Sequence, residues 1–127
     1  MTSYLDKILE SSKEKVMSDK ISKPYKTLKS KIDDLKETRP FIDNIKRRQK
    51  AGLVSVIAES KQASPSQGLI RANYDPVLIA RSYYENNATC MSVLTNEEYF
   101  KGSLSHLEVI NASVEIPLLR KDFIVDE

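Results

Sequence analysis

Apolar residues recur along this chain with two different periods. Over residues 1–50 the spacing is helical. Tyr4, Leu5, Ile8 and Leu9 follow Ser3, a residue able to cap free backbone N–H groups, and predict a short amphipathic helix. Pro24 suits a first helical position, Tyr25, Leu28, Ile32 and Leu35 form one stripe, and Pro40 lies beyond its end. Phe41, Ile42 and Ile45, with Lys46, Arg47 and Arg48, predict a third short helical piece. The stripes are expected to be at least partly buried, with the helices packed outside the strands that follow.

At Gly52 the texture changes. Leu53 to Ala58 is an apolar run rich in β-branched residues that suits a buried strand. A polar, glycine-bearing loop from Ala63 to Asn73 leads to Asp75-Pro76, a strong helix start because the carboxylate caps free N–H groups and proline presets the dihedral. That helix is expected to run to about Asn86. Ala88 to Leu94 reads as a second strand, Gly102-Ser103 opens a helix around Leu104, Leu107 and Ile110, and Ile116 to Phe123 reads as a third strand. Strands alternating with helices imply an α/β fold with a parallel sheet and right-handed crossovers. Two regions are expected: a helical extension over 1–50 and a βαβαβ unit over 51–127. Three parallel strands are few, and the helix that should cover the third would come after Glu127. The expectation is a sheet completed by another chain, or a piece of a larger α/β protein.

Composition narrows the class without naming a function. The 127 residues, 40% hydrophobic and 30% charged, suffice for one modest core. The apolar runs are too short for a membrane span and the N-terminus has no secretory core, so a cytoplasmic protein with no membrane partner is expected. The single cysteine, Cys90, has no partner for a disulfide and no ligand spacing for a metal, and is expected to be a packing residue. The net charge of +2 hides an asymmetry, +6 over residues 1–50 and −4 over 51–127. The lysines alternate with Asp and Glu and lack an aromatic stacking platform, so solvated helix faces are expected and no nucleic-acid partner.

Chemistry enters at the strand ends. Glu59 and Lys61 lie two residues apart and point to one face. Lys121 ends the third apolar stretch, sharing parity with Leu119, while Arg120 points the other way. On the second strand Cys90, Ser92 and Leu94 share a face, and Ser92 offers a small polar group at matching depth. All lie toward the C-terminal ends of parallel strands, where such folds build active sites. Ordinary ion pairs at exposed strand ends account for the same pattern equally well. The loop Ser64-Pro65-Ser66-Gln67-Gly68 is open in the same way, between a plain connection and a flexible loop that meets an anion.

A resemblance bears on that choice. The run Val56-Ile57-Ala58-Glu59-Ser60-Lys61-Gln62-Ala63-Ser64-Pro65-Ser66 with Gly68 resembles the signature of indole-3-glycerol-phosphate synthases. It is followed in family order by Asp75-Pro76 with Ala80 and Tyr84-Glu85. Next come Ser92-Val93-Leu94-Thr95 with Tyr99-Phe100-Lys101-Gly102-Ser103, and then Pro117-Leu118-Leu119-Arg120-Lys121-Asp122-Phe123-Ile124. Gln62 departs from the arginine that family members often carry. The resemblance implies the N-terminal part of a (β/α)8 barrel, about three strands preceded by a helical extension, and a carbon–carbon lyase of tryptophan biosynthesis. It implies ring closure, decarboxylation and dehydration of 1-(2-carboxyphenylamino)-1-deoxyribulose 5-phosphate, with no cofactor and no metal. It implies Lys121 as general acid, Lys61 as contact to substrate anions, and Glu59 as the group that orients Lys61 and handles protons. Ser64, Pro65 and Ser92 would contact substrate, with Leu94, Phe100 and Phe123 walling its ring.

A full barrel needs roughly 250 residues, and the family's later elements have no counterpart here. The chain alone is therefore expected to be inactive and to self-associate or complement the remaining part. The alternatives are a non-catalytic remnant or interaction module, and another phosphate-binding barrel such as phosphoribosylanthranilate isomerase. The Glu59, Lys61 and Ser-Pro-Ser combination speaks against the isomerase.

Overall fold

The computed structural model describes all of residues 1–127. The chain divides into two compact units, one made of Met1–Glu37 with Phe123–Glu127 and the other of Thr38–Asp122.

In the first unit, helix α1 spans Tyr4–Ser22, much longer than the short helix the apolar spacing predicts. Its start is fixed by reciprocal capping: Asp6 N–H donates to Ser3 Oγ at 3.1 Å, and Ser3 N–H donates to the Asp6 carboxylate at 2.9 Å. Only Ile8 and Ser12 of this helix are buried. Helix α2 spans Tyr25–Asp33 and buries no residue. The stripe of Tyr25, Leu28, Ile32 and Leu35 therefore stays exposed, against the expectation of partial burial. Two helices and a short tail have too little apolar surface to close over it. None of the helices is long and apolar enough to cross a membrane.

The second unit carries the sheet. After α3 (Phe41–Lys50) come β1 (Ile57–Ser60), the two-residue strands β2 (Ala63–Ser64) and β3 (Gly68–Leu69), and α4 (Pro76–Glu85). Then follow β4 (Cys90–Leu94), the single turn α5 (Glu97–Phe100), α6 (Leu104–Ser113) and β5 (Leu118–Lys121). Strands β1, β4 and β5 form one parallel sheet in the order β1-β4-β5, and β2 and β3 pair as a small antiparallel ribbon. This is the predicted βαβαβ arrangement.

Two boundaries differ from the apolar pattern. The run from Leu53 does not enter the sheet at once. Gly52 adopts φ +72° and turns the chain out of α3, with its N–H donating to Gln49 O and that of Leu53 to Arg48 O. Leu53 and Val54 are exposed, and only at Val56 does the backbone meet β4, its carbonyl accepting from Thr89 and Cys90 N–H. The loop from Ala63 to Asn73 is also more ordered than expected, because the β2-β3 ribbon folds the Ser-Pro-Ser segment back on itself.

Register sorts the side chains into two faces. Met91, Val93 and Leu118 face α4 and α6, where they pack with Ala80, Ile110, Val114 and Ile116. Fully burying Met91, Val93 or Ile110 contributes roughly 1.5–3 kcal/mol each. Arg39 closes the far side of α6 by donating to Asn111 O at 2.9 Å, Val114 O at 2.7 Å and Ile116 O at 3.1 Å, carbonyls left free where the helix ends. The opposite face carries Ile57, Glu59, Cys90, Ser92, Leu94, Leu119 and Lys121. Cys90 is fully buried there; its thiol donates to Phe41 O at 3.4 Å, and burial pushes its pKa up.

Gly102 is required by space. A Cβ at this position would lie 2.4 Å from Leu94 O and 2.8 Å from Thr95 C, so the end of β4 would have to move. Gly102→Ala is expected to cost about 1–3 kcal/mol in urea unfolding. His106, the one histidine, lies 5.2 Å from the Tyr74 ring centre, and its Nδ1 is enclosed without a hydrogen-bond partner. Desolvation lowers its pKa below the ordinary 6.5. The unfolded chain therefore takes up this proton first on acidification. Stability should be full above pH 6.5 and fall as pH drops from there through the folded pKa. Chemical denaturation across that window should show the loss in the natural chain and a flatter profile in His106→Gln.

Candidate active site

At the C-terminal ends of the sheet three charged side chains meet on the face opposite α4 and α6. Glu59 pairs in register with Ser92, and Lys121 with Leu94. Because alternate residues point to one face, Glu59, Ser92 and Lys121 are brought side by side across three strands. The Glu59 carboxylate accepts on both oxygens. Lys121 Nζ donates to Oε2 at 2.6 Å, Ser92 Oγ donates to the same oxygen at 3.2 Å, and Lys61 Nζ lies 3.2 Å from Oε1.

Electrostatics favour the ionised carboxylate. Partial burial pushes the Glu59 pKa up, but the hydrogen bonds and charges of Lys121 and Lys61 together outweigh it and hold the carboxyl below its ordinary value. The Glu59 side chain is 27% exposed, that of Lys61 33% and that of Lys121 52%. The lysines thus keep water-facing surface, while Ser92 and Leu94 beside them are buried. A cavity of about 340 Å³ opens beside β1, lined by Glu59, Lys61, Arg71 and Tyr83 among others. A larger cleft of about 480 Å³, between α3 and the end of α4, reaches Thr89 at the other end of β4 and contains none of the strand-end charges. The larger of the two cavities is thus not the one beside the charge cluster.

The loops add a partial rim. Ser64 is buried, and its Oγ accepts from Gln67 N–H at 3.2 Å, so this hydroxyl shapes the Ser-Pro-Ser turn; Pro65 follows it, partly buried. Helix α5, which ends at the partly buried Phe100, packs against β2. Phe123 belongs to the other unit.

Two groups went unassigned in the sequence. Beside Lys121, Asp122 accepts from Thr95 Oγ1 at 2.7 Å and Asn96 Nδ2 at 3.3 Å, while Arg120 Nε donates to Thr95 Oγ1 at 3.1 Å. This network ties the end of β5 to the end of β4. Thr95, Arg120 and Asp122 stood in the blocks that carry the resemblance, but their pairing left no trace in the sequence beyond polar residues at two neighbouring strand ends. On the helix side, Tyr83 OH donates to the Glu59 carbonyl at 2.7 Å, a contact that no spacing rule reveals.

The chain as a whole is similar to proteins of one family. A family model described as indole-3-glycerol phosphate synthase matches residues 5–127. Proteins of that name are similar along the whole chain: one from Neisseria meningitidis is 42% identical over 100% of it, covering 49% of the relative. One from Burkholderia ambifaria is 43% identical over 99% of this chain and 48% of its own length, and one from Laribacter hongkongensis is 40% identical over 100% and 48%. The chain thus spans about half the length of the curated relatives it matches. With a match that begins at residue 5 and runs to residue 127, the chain belongs to the indole-3-glycerol phosphate synthase family.

Proposed function

We propose that this chain supplies a catalytic face of an indole-3-glycerol-phosphate synthase, with residues 1–50 as a helical extension ahead of the first three strands of a (β/α)8 barrel. The observation that carries the reading is the single carboxylate of Glu59 shared by two ammonium groups at the C-terminal ends of β1 and β5.

The substrate of this reading is 1-(2-carboxyphenylamino)-1-deoxyribulose 5-phosphate, taken up in the cytoplasm. Its ring carbon bearing the carboxylate attacks the ketone carbon. The carbonyl electron pair moves onto oxygen, where Lys121 supplies a proton. Carbon dioxide then leaves from the ring carbon and restores the aromatic ring. Loss of the new hydroxyl as water, together with a proton, closes the indole. Lys61 meets substrate anions and assists the departure of water. Glu59 orients both lysines and takes back protons. Ser64, Pro65, Ser92, Leu94 and Phe100 bound the substrate in this reading, the apolar members excluding water from the developing charge.

Steady-state kinetics on a complete barrel containing this chain test the assignment. Lys121→Ala should cut kcat by at least about 100-fold with a smaller change in KM, because the interaction lost is made mainly in the transition state. Lys121→Arg should not restore turnover, since guanidinium holds its protons too tightly to act as an acid near neutral pH. Near-normal turnover in Lys121→Ala would refute the role, and rescue by arginine would reduce it to plain charge stabilisation.

A further inference from the structure

We propose that Tyr83 is a positioning residue for this site, its hydroxyl holding the Glu59 carbonyl so that the carboxylate of the same residue stays between Lys61 and Lys121. The inference deepens the functional reading above and rests on it for its consequence, but its geometry stands apart from any turnover.

The β1-β4 pairing ends at Glu59↔Ser92 and Ser60↔Val93, after which the chain leaves the sheet. Glu59 must therefore be fixed at an exit point, where strand pairing is about to stop. Two hydroxyls from the helix side act there. Tyr83, in the last turn of α4, donates to Glu59 O at 2.7 Å. Tyr74, in the approach to α4, meets Ser60 Oγ through its own hydroxyl, and Ser60 is 1% exposed. Alternation puts the Ser60 side chain toward the helices and the Glu59 side chain toward the site. The peptide between them is thus gripped from behind while the carboxylate projects forward.

Rigid support behind a charged group governs how well its partners are met. The Tyr83 ring packs against the core beneath α4 and α6, which fixes the hydroxyl. Tyr83→Phe keeps that packing and removes only the hydrogen bond. The exposed neighbour Tyr84, on the same helix, provides the matched control as Tyr84→Phe.

The measurement is the titration midpoint of the Glu59 carboxyl carbon, followed by NMR in the natural chain and in each variant. The two lysines hold the midpoint down against the burial that pushes it up, so loosening their hold should raise it. The expected result is a rise in Tyr83→Phe and none in Tyr84→Phe. An unchanged or lowered midpoint in folded Tyr83→Phe would overturn the proposal, as would an equal rise in both variants. Should Tyr83→Phe lose its fold, the hydroxyl proton of Tyr83 is followed by NMR in the natural chain: exchange with water slower than at the exposed Tyr84 supports the hold on the Glu59 carbonyl, and equally fast exchange overturns it. No substrate enters this experiment, so its failure is distinguishable from a failure of the Lys121 assignment.

Discussion

Sharing one carboxylate between two ammonium groups constrains everything around it. Glu59 can reach Lys121 only if β1 and β5 flank β4 in parallel, and only if the register sets Glu59 against Ser92 and Lys121 against Leu94. A slip of one residue in either pairing would turn a charged side chain toward Met91 and Val93, where it would be buried without a partner. The same alternation that builds the core behind the sheet therefore builds the charge cluster in front of it. Ser92 sits between them as a small donor because a larger side chain would fill the space in which carboxylate and ammonium meet.

The second consequence is a division of labour across the sheet. The face toward α4 and α6 is apolar and closed, with Met91, Val93 and Ile110 fully buried. Such packing resists movement and gives the charge cluster in front of the sheet a rigid backing. The face toward Lys61 and Lys121 keeps part of each lysine exposed. Where the two faces touch, at the exit of β1, the Tyr83 hydroxyl from the apolar side reaches the backbone that carries Glu59. The Thr95–Asp122–Arg120 network does similar work at the ends of β4 and β5.

Much of this was legible in the sequence, for identifiable reasons. Strand parity placed Glu59, Lys61, Ser92 and Lys121 on one face because a two-residue period leaves no other choice. Asp75-Pro76 marked the start of α4 because capping and a preset dihedral act locally, and Asp75 does accept from Val77 and Leu78 N–H. What failed was burial and exact entry. Leu53 and Val54 read as strand, yet Gly52 turns the chain so that they cross exposed before β1 begins. The α2 stripe had helical period without a surface to meet. Tyr83, Arg39 and the Asp122 network were invisible because their partners are backbone carbonyls or residues distant in the chain, and a one-dimensional pattern does not carry such pairings.

Glu59 and Lys121 are coupled across β4, and a double-mutant cycle measures that coupling. Urea unfolding of the natural chain, Glu59→Gln, Lys121→Met and the double variant isolates the pairwise term. A charge-assisted hydrogen bond contributes roughly 1.5–3 kcal/mol when well enclosed, and the exposure of Lys121 reduces that, so a favourable coupling of about 1 kcal/mol is expected. Additive effects, with a coupling within about 0.3 kcal/mol of zero, would contradict the claim that this carboxylate holds the two strands' charges together.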